Sequence, residues 1–289
     1  MTWVESCIVY YKNQQECKVF AEKVDKFLRE RGVSSVFLVN AESEVGSPST
    51  LVGSKLSQGT LGIVIGGDGT FLSASRWLHS CPVPIVGVNF GGLGFLTEIP
   101  REQCFQELER ILEGHYAIEE RLKIEVIVYR NNEPRFHQAV LNDVVINKGA
   151  LARIINFHAS VNEQYLNYYR ADGLIISTPT GSTAYNISAG GPIICPTAQV
   201  VVITPICSFN LTDRPIVIPT PFSINIFLES HEQEVFLTCD GQVGTAVTVD
   251  DFIKITVSPD PLLFMKPLSI NYFEILRTKL KWGQSKKSS

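Results

Sequence analysis

Apolar positions in the first third of the chain follow two spacings. Short apolar runs have the length of β-strands at residues 7–11, 35–39, 61–65 and 85–88. Between these runs, residues 14–31 and 70–78 carry apolar side chains at helical spacing. The run at 61–65 is apolar on both faces, which is typical of a strand buried in a parallel sheet. The alternation predicts right-handed βαβ units and an open parallel sheet.

The pattern changes after a predicted helix at residues 101–113. Ten short β segments follow, at residues 123–129, 137–146, 154–161, 165–171, 173–177, 200–204, 216–218, 223–228, 235–239 and 252–257. Strands this dense, separated by polar turns, predict a sandwich-like β domain. Residues 272–281 then have the pattern of a last helix.

The length of 289 residues fits two domains at roughly 150 residues each. We predict an α/β domain at residues 1–98, to which a helix within residues 270–285 returns, and a β-rich domain at residues 99–269. A net charge of −4 gives no indication of a nucleic-acid partner. No apolar run reaches the ~18 residues that span a bilayer, and the N-terminus lacks a signal-peptide pattern. The seven cysteines contain no CxxC pair, so we expect a cytoplasmic protein without a membrane partner.

A glycine-rich bend, GGDGT at residues 66–70, follows the apolar run at 61–65. Its glycines allow close approach to a ligand, and loop and helix N–H groups hold phosphate oxygens. Asp68 is unexpected in a pure phosphate cradle, so it indicates a proton acceptor or a metal ligand. The alternative is a tight turn in which Asp68 caps the following helix.

A second glycine-rich segment, NFGGLGFL at residues 89–96, follows the next predicted strand. It does not match GxGxxG, so the usual dinucleotide fingerprint is absent. The spacing fits a ligand loop and an interdomain hinge equally well. The Walker A, protein-kinase and GxSxG signatures are also absent, so a phosphotransferase would need a different architecture.

Three polar segments stand out in the second half of the chain. Residues 177–185, STPTGSTAY, are dense in hydroxyl groups and suit a phosphate or polyhydroxyl ligand, although a surface loop has similar composition. Asn142 and Asp143 interrupt the apolar run 139–146, and they need either a nucleotide edge or water as partner. Alone, DGQ at 240–242 indicates a hairpin turn.

Together these segments resemble blocks of the bacterial NAD kinases. The five blocks occur in order: GGDGT at 66–70, NFGGLGFL at 89–96, LNDVVI at 141–146, ADGLIISTPTGSTAY at 171–185 and DGQ at 240–242. GGDGT alone is shared with diacylglycerol and sphingosine kinases, whereas the block at 171–185 is far more specific. The resemblance implies the NAD kinase/diacylglycerol kinase-like fold. That fold has a Rossmann-like α/β N-terminal domain with a parallel sheet and a mostly β, sandwich-like C-terminal domain.

The resemblance also implies roles for single residues. Asp68 is similar to the family's catalytic proton acceptor, and it would contact the nucleotide together with Gly69. The other implied cofactor-binding residues are Asn142, Asp143, Arg153, Arg170, Asp172, Thr183, Ala184, Tyr185, Asn186, Ile187, Ser188 and Gln242. Tyr185 is the implied stacking partner of adenine, and DGQ becomes part of the site. No protein metal ligand is implied.

One segment departs from the family pattern. Many relatives carry Pro-His after the cysteine that corresponds to Cys207, and here Ser208 and Phe209 stand there. A contact made by that histidine therefore does not carry over to this chain.

An NAD kinase transfers the terminal phosphoryl group of ATP, or of a donor such as polyphosphate, to the 2′-hydroxyl of the adenosine ribose of NAD. The resemblance thus implies NAD and ATP as ligands, Mg²⁺ as the divalent cation, and a homo-oligomer, either dimer or tetramer. Two alternatives stay open: a GGDGT-type lipid kinase, and a non-catalytic NAD-binding sensor.

Overall fold

The chain divides into two compact units. The structure, a computed structural model, describes residues 4–40, 59–79, 81–92, 94–149, 153–229 and 234–282. Unit 1 comprises Met1–Glu120 and Leu262–Ser289, and unit 2 comprises Arg121–Pro261. The predicted boundary at 98/99 lies too early, because the helix and strand that follow it belong to unit 1. Leu93 and the predicted helical residues 283–285 lie outside the described residues.

Unit 1 begins with the alternation of strands and helices that the apolar spacing predicts. Its elements up to the boundary are β1 (Ser6–Lys12), α1 (Gln15–Arg29), β2 (Ser34–Asn40), β3 (Thr60–Gly66), α2 (Asp68–Trp77), β4 (Ile85–Asn89), β5 (Ile99–Pro100), a 3₁₀ turn (Arg101–Gln103), α3 (Cys104–Leu112) and β6 (Tyr116–Arg121). All seven residues of β3 are buried, which confirms a central strand covered on both faces.

Unit 2 is a β-sandwich. Its elements are β7 (Ile124–Arg130), β8 (Glu133–Val140), β9 (Asp143–Lys148), β10 (Ile155–Val161), β11 (Gln164–Ala171), β12 (Gly173–Ser177), a 3₁₀ turn (Thr180–Thr183), α4 (Tyr185–Ser188), β13 (Val200–Ile206), β14 (Ile216–Pro219), β15 (Ser223–Leu228), β16 (Val235–Cys239), β17 (Val243–Val247) and β18 (Asp251–Val257). The described strands form two sheets, in the orders β11-β10-β15-β18-β7-β8 and β14-β13-β12-β9-β16-β17. One apolar core takes side chains from both sheets, which confirms the sandwich-like prediction.

The last two described elements, β19 (Leu262–Pro267) and α5 (Tyr272–Leu280), belong to unit 1. The described strands of that unit form one sheet in the order β2-β1-β3-β4-β19-β6, and β5 also pairs with β4. β19 was not predicted, although it pairs in parallel with β4. Within the described part of the chain, no helix is long and apolar enough to cross a membrane.

The predicted strand at residues 137–146 was wrong as a single element. It is two strands, β8 and β9, which lie in different sheets. At the corner between them, the carboxylate of Asp240 accepts hydrogen bonds from the backbone N–H groups of Leu141, at 3.2 Å, and Asn142, at 2.6 Å. A third N–H, that of Asp143, donates to the same carboxylate at 3.3 Å. Asp240 thus satisfies donors that leave the sheet ladder where the chain changes sheets.

Candidate active site

Asp68 stands at the carboxyl end of the buried strand β3, as the first residue of α2. The N-cap of this helix is Gly67, so the alternative in which Asp68 caps the helix is wrong. Its carboxylate instead accepts backbone hydrogen bonds from Phe95 at 2.8 Å, Leu96 at 3.1 Å and Thr97 at 3.0 Å. The hydroxyl of Thr97 donates a further bond at 3.0 Å. Four donors from one loop therefore hold this half-buried carboxylate.

The loop that holds Asp68 is the second half of the NFGGLGFL segment. Asn89, at the end of β4, donates from Nδ2 to the hydroxyl of Thr97 at 2.8 Å and to the carbonyl of Gly92 at 3.1 Å. A Cβ on Gly94 would lie 2.0 Å from Oδ1 of Asp68, so glycine is required for the close approach. The sequence did not distinguish a ligand loop from an interdomain hinge. In the structure, this loop contacts Asp68, the proposed proton acceptor.

In unit 2, the STPTGSTAY loop packs on the corner at Asn142. The N–H of Thr178 donates to the Asn142 carbonyl at 2.9 Å, and its hydroxyl donates to the Leu141 carbonyl at 2.5 Å. A Cβ on Gly181 would lie 2.1 Å from the Asn142 carbonyl oxygen. Side-chain Oδ1 of Asn142 is buried and has no hydrogen-bond partner among the described residues, so it can accept from a ligand donor.

Asp143 is a buried carboxylic acid. Burial, followed by the negative charge of Asp240, raises the pKa of Asp143 from 3.8 to about 7, and a hydrogen bond from the Tyr185 backbone opposes the rise. Desolvation and a like charge both disfavour the ionised form. Near neutral pH this side chain is therefore present in both protonation states.

Asp143→Asn is expected to stabilise the protein above pH 7 but not at pH 4. The raised pKa means that the folded chain keeps a proton that the unfolded chain releases, so wild-type stability falls as pH rises from 3.8 to about 7. The amide has no charge to bury, and the gain at pH 8 should be at least roughly 1 kcal/mol. Thermal unfolding of both proteins at pH 4 and pH 8 measures it. An equal difference at the two pH values would contradict this account.

A cavity of about 500 Å³ brings several of these residues together within unit 2. Its lining is Asp143, Val145, Asn147, Lys148, Gly149, Tyr185, Phe236, Thr238 and Gly241. Tyr185 and Phe236 are 41% and 44% exposed, which leaves aromatic surface available to a ligand. Flat apolar walls with a few polar groups suit a planar heterocycle.

A second cavity of unit 2, about 590 Å³, is basic. It is lined by Lys148, Arg153, Ile154, Asn156, Tyr168 and Arg170. Lys148 lines both cavities, and Asp172 pairs with it at 3.0 Å. Three cationic side chains in one cavity favour an anionic ligand such as a phosphate group.

The divergent residue Phe209 has a partner in this cavity. The guanidinium of Arg170 lies 4.4 Å from the centre of the Phe209 ring, and the Phe209 N–H donates to the Arg170 carbonyl at 2.8 Å. This contact orients Arg170 by a cation–π interaction.

The remaining predicted residues lie around the STPTGSTAY loop or in the turn after β16. Thr183 ends the 3₁₀ turn, Ala184 links it to α4, and that short helix carries Tyr185, Asn186, Ile187 and Ser188. Asn186 is fully buried, and its Oδ1 accepts from Thr204 at 2.6 Å, so in this structure it holds the loop.

Gln242 is exposed in the turn, where its N–H donates to the Cys239 carbonyl at 3.0 Å. Gly69 is exposed beside Asp68.

Several lining residues were missed by sequence reasoning. They are Asn147, Lys148, Phe236 and Thr238. The polar pair that ends the apolar run of β9 was a usable signal for Asn147 and Lys148. Phe236 lies on the outer face of its strand, and an exposed aromatic residue gives no sign of its role without the fold. Within the described ranges, no group of three or more His, Cys, Asp or Glu side chains could hold a metal ion.

Two family models and several curated relatives match this chain. Residues 57–116 match the family model of the ATP-NAD kinase N-terminal domain, and residues 141–266 match that of the ATP-NAD kinase C-terminal domain. The NAD kinase of Syntrophobacter fumaroxidans is 49% identical over 96% of this chain and 98% of its own length. The chain belongs to the NAD kinase family. The NAD kinase of Geotalea daltonii is 46% identical over 93% of this chain and 95% of its own length.

Solved structures of NAD kinases have the same fold. The Archaeoglobus fulgidus NAD kinase in complex with ATP aligns with a TM-score of 0.75 and 25% identity, over 96% of this chain and 98% of that one. The yeast NADH kinase complexed with NADH aligns with a TM-score of 0.83 over 99% of this chain and 90% of that one. At 21% identity, the yeast structure supports the fold alone. The predicted α/β and β-sandwich fold of an NAD kinase is confirmed.

Proposed function

We propose that this chain catalyses transfer of the terminal phosphoryl group of ATP to the 2′-hydroxyl of the adenosine ribose of NAD, which gives NADP and ADP. The supporting observation is the carboxylate of Asp68, which four hydrogen bonds hold at the carboxyl end of a buried parallel strand, in a chain of the NAD kinase family. Ligands of open α/β sheets bind at this end of the strands.

In the proposed reaction, Asp68 accepts the proton of the ribose 2′-hydroxyl as that oxygen bonds to the γ-phosphorus of ATP. The bond between this phosphorus and the oxygen that bridges it to the β-phosphate breaks, and ADP leaves with its electron pair. General-base help of this kind is worth ~10²–10⁴ in rate. Mg²⁺ enters as part of the MgATP substrate and neutralises charge on the phosphates. First-turn N–H groups of α2 favour phosphate oxygens in the same region.

The proposed NAD contacts follow from the two cavities of unit 2. A base between Tyr185 and Phe236 would gain stacking contact, and a ligand donor would satisfy Oδ1 of Asn142. Arg153 and Arg170, beside Lys148, suit the dinucleotide phosphates. The contacts of Asp143, Asp172, Gly69, Gln242 and the residues of 183–188 other than Tyr185 remain predictions from the family resemblance.

An NADP-formation assay tests the proposed function. The purified chain with ATP, Mg²⁺ and NAD is expected to form NADP, and addition of EDTA in excess over Mg²⁺ is expected to stop the reaction. A parallel reaction with diacylglycerol in place of NAD should give no phosphorylated lipid. If NAD is bound but no NADP appears with ATP or polyphosphate, the sensor alternative replaces the kinase. Comparing these two donors also decides which of them the enzyme uses.

Two further expectations from the resemblance belong to the same proposal. We expect a homo-oligomer, dimer or tetramer, and a cytoplasmic location. Size-exclusion chromatography with light scattering measures the first, and fractionation of cells measures the second.

A further inference from the structure

We propose that residues 94–97 form a positioning loop that makes the two oxygens of the Asp68 carboxylate unequal. The loop anchors Oδ1, and it leaves Oδ2 as the oxygen that takes the proton from the ribose hydroxyl. This inference rests on the proposed NAD kinase activity and deepens it, because it assigns the step to one atom and names the residues that orient that atom.

The hydrogen bonds on the two oxygens of Asp68 are unevenly divided. Oδ1 accepts from the N–H of Leu96 at 3.1 Å, the N–H of Thr97 at 3.0 Å and the hydroxyl of Thr97 at 3.0 Å. Among the described residues, Oδ2 accepts from one N–H, that of Phe95, at 2.8 Å. A carboxylate offers about four acceptor positions over its two oxygens, so three donors saturate Oδ1. Oδ2 keeps an acceptor position for a proton.

The hydroxyl of Thr97 has only one possible orientation in this network. An amide nitrogen such as Nδ2 of Asn89 only donates, so at 2.8 Å the Thr97 oxygen is its acceptor. An ionised carboxylate only accepts, so the proton of the Thr97 hydroxyl points at Asp68. Thr97 is fully buried and Asn89 is 5% exposed, so water does not compete for these bonds. The chain of hydrogen bonds from Asn89 to Thr97 to Asp68 therefore fixes the position of Oδ1 of Asp68.

The shape of the loop depends on Gly94. A Cβ at this position would lie 2.0 Å from Oδ1 of Asp68 and 2.3 Å from Oγ1 of Thr97. Both atoms belong to side chains, so an added methyl group would displace the carboxylate without forcing the backbone apart. A Cβ on Gly92, in the same segment, would meet no described atom within 4 Å. The chain therefore offers a matched pair of glycine substitutions.

Gly94→Ala is expected to lower kcat for NADP formation about tenfold or more, because a misplaced catalytic group loses rate steeply. The KM for NAD should change less than about threefold, since the loop has no part in the proposed NAD cavities. Gly92→Ala should keep the wild-type kcat. Equal kcat values for Gly94→Ala and wild type would overturn the proposal, and so would a change confined to KM.

Thr97→Val removes the hydroxyl at nearly constant volume and should lower kcat about fivefold or more, the effect of losing one hydrogen bond to a charged group. Thr97→Ser, which keeps the hydroxyl, should restore most of the rate. Thr60→Val is the matched control, because Thr60 is also a buried threonine of unit 1 and hydrogen-bonds to Ser6 at 3.0 Å, away from Asp68. It should lose stability but keep kcat.

A double-variant cycle separates positioning from general stability. If Thr97 acts through Asp68, then adding Thr97→Val to Asp68→Asn should not lower the residual kcat further. Losses of kcat that multiply independently in the double variant would overturn the proposal. If Thr97→Val is unstable at higher temperature, the cycle is measured at a lower one. Wild-type NADP formation is measured in the same series. A wild type without activity refutes the proposed function, whereas an active wild type with unaffected variants refutes the positioning loop alone.

Discussion

Asp68→Asn is expected to reduce kcat for NADP formation at least ~10²-fold, the low end of general-base effects. The amide cannot take the proton of the ribose hydroxyl. It keeps one oxygen that can still accept from the loop at residues 94–97, so the fold around it should persist. We expect the KM for NAD to stay within about threefold of wild type, because the proposed NAD cavities lie in unit 2.

The measurement is steady-state NADP formation with ATP and NAD varied separately, together with a thermal melt of each protein. Asp260→Asn is the charge-matched control, since Asp260 lies exposed in the turn between β18 and β19. It should keep the wild-type kcat. A near-normal kcat in Asp68→Asn would remove this carboxylate from the mechanism.

Gly181→Ala is expected to lower kcat/KM for NAD roughly 10²-fold, the scale associated with misplacement by about 1 Å. The added Cβ would lie 2.1 Å from the carbonyl oxygen of Asn142 and 2.4 Å from its carbonyl carbon. These are backbone atoms of a buried corner that Asp240 also holds. They can move only if the corner moves, so the proposed NAD residues on it are displaced. Overpacking of this kind also costs about 1–3 kcal/mol of stability.

Titration of NAD binding by calorimetry, with the melting temperature of each variant, distinguishes the two effects of Gly181→Ala. The same glycine-to-alanine change at Gly92, where a Cβ would meet no described atom within 4 Å, should alter neither quantity. Wild-type affinity in Gly181→Ala would show that the corner at Asn142 plays no part in binding NAD.

The regular elements could be predicted because their signals are local. The apolar runs of β3 and β12 and the apolar stripe of α1 depend on residues next to one another in the chain. The corner between β8 and β9 could not, because Asp240, which accepts its N–H groups, is 98 residues away from Asn142 in sequence. Apolar residues on both sides of the corner made the pattern look continuous.

The position of Asp68 in the proposed site could be predicted from the sequence, but the hydrogen-bond donors that hold it could not. The GGDGT segment predicted Asp68 just after the end of a strand, and in the structure Asp68 follows β3. The partners of this carboxylate are backbone groups 27 to 29 residues later, and backbone donors have no signature in a sequence. The hydrogen-bond partners of the Asn186 side chain could not be predicted either. The family block marks it as a ligand contact, and in the structure its side-chain amide bonds to Thr204 of β13 and to the Pro192 carbonyl.

The fit between Gly94 and Asp68 affects how GGDGT motifs should be interpreted in other chains. The short motif supplies the acid, but the glycine that leaves room for it comes from a separate stretch after the neighbouring strand. Grafting GGDGT alone onto another parallel sheet would supply an aspartate with nothing to orient it. A homologue that keeps the aspartate but has a bulkier residue at the position of Gly94 must hold its acid differently, and the two positions are best inspected as a pair.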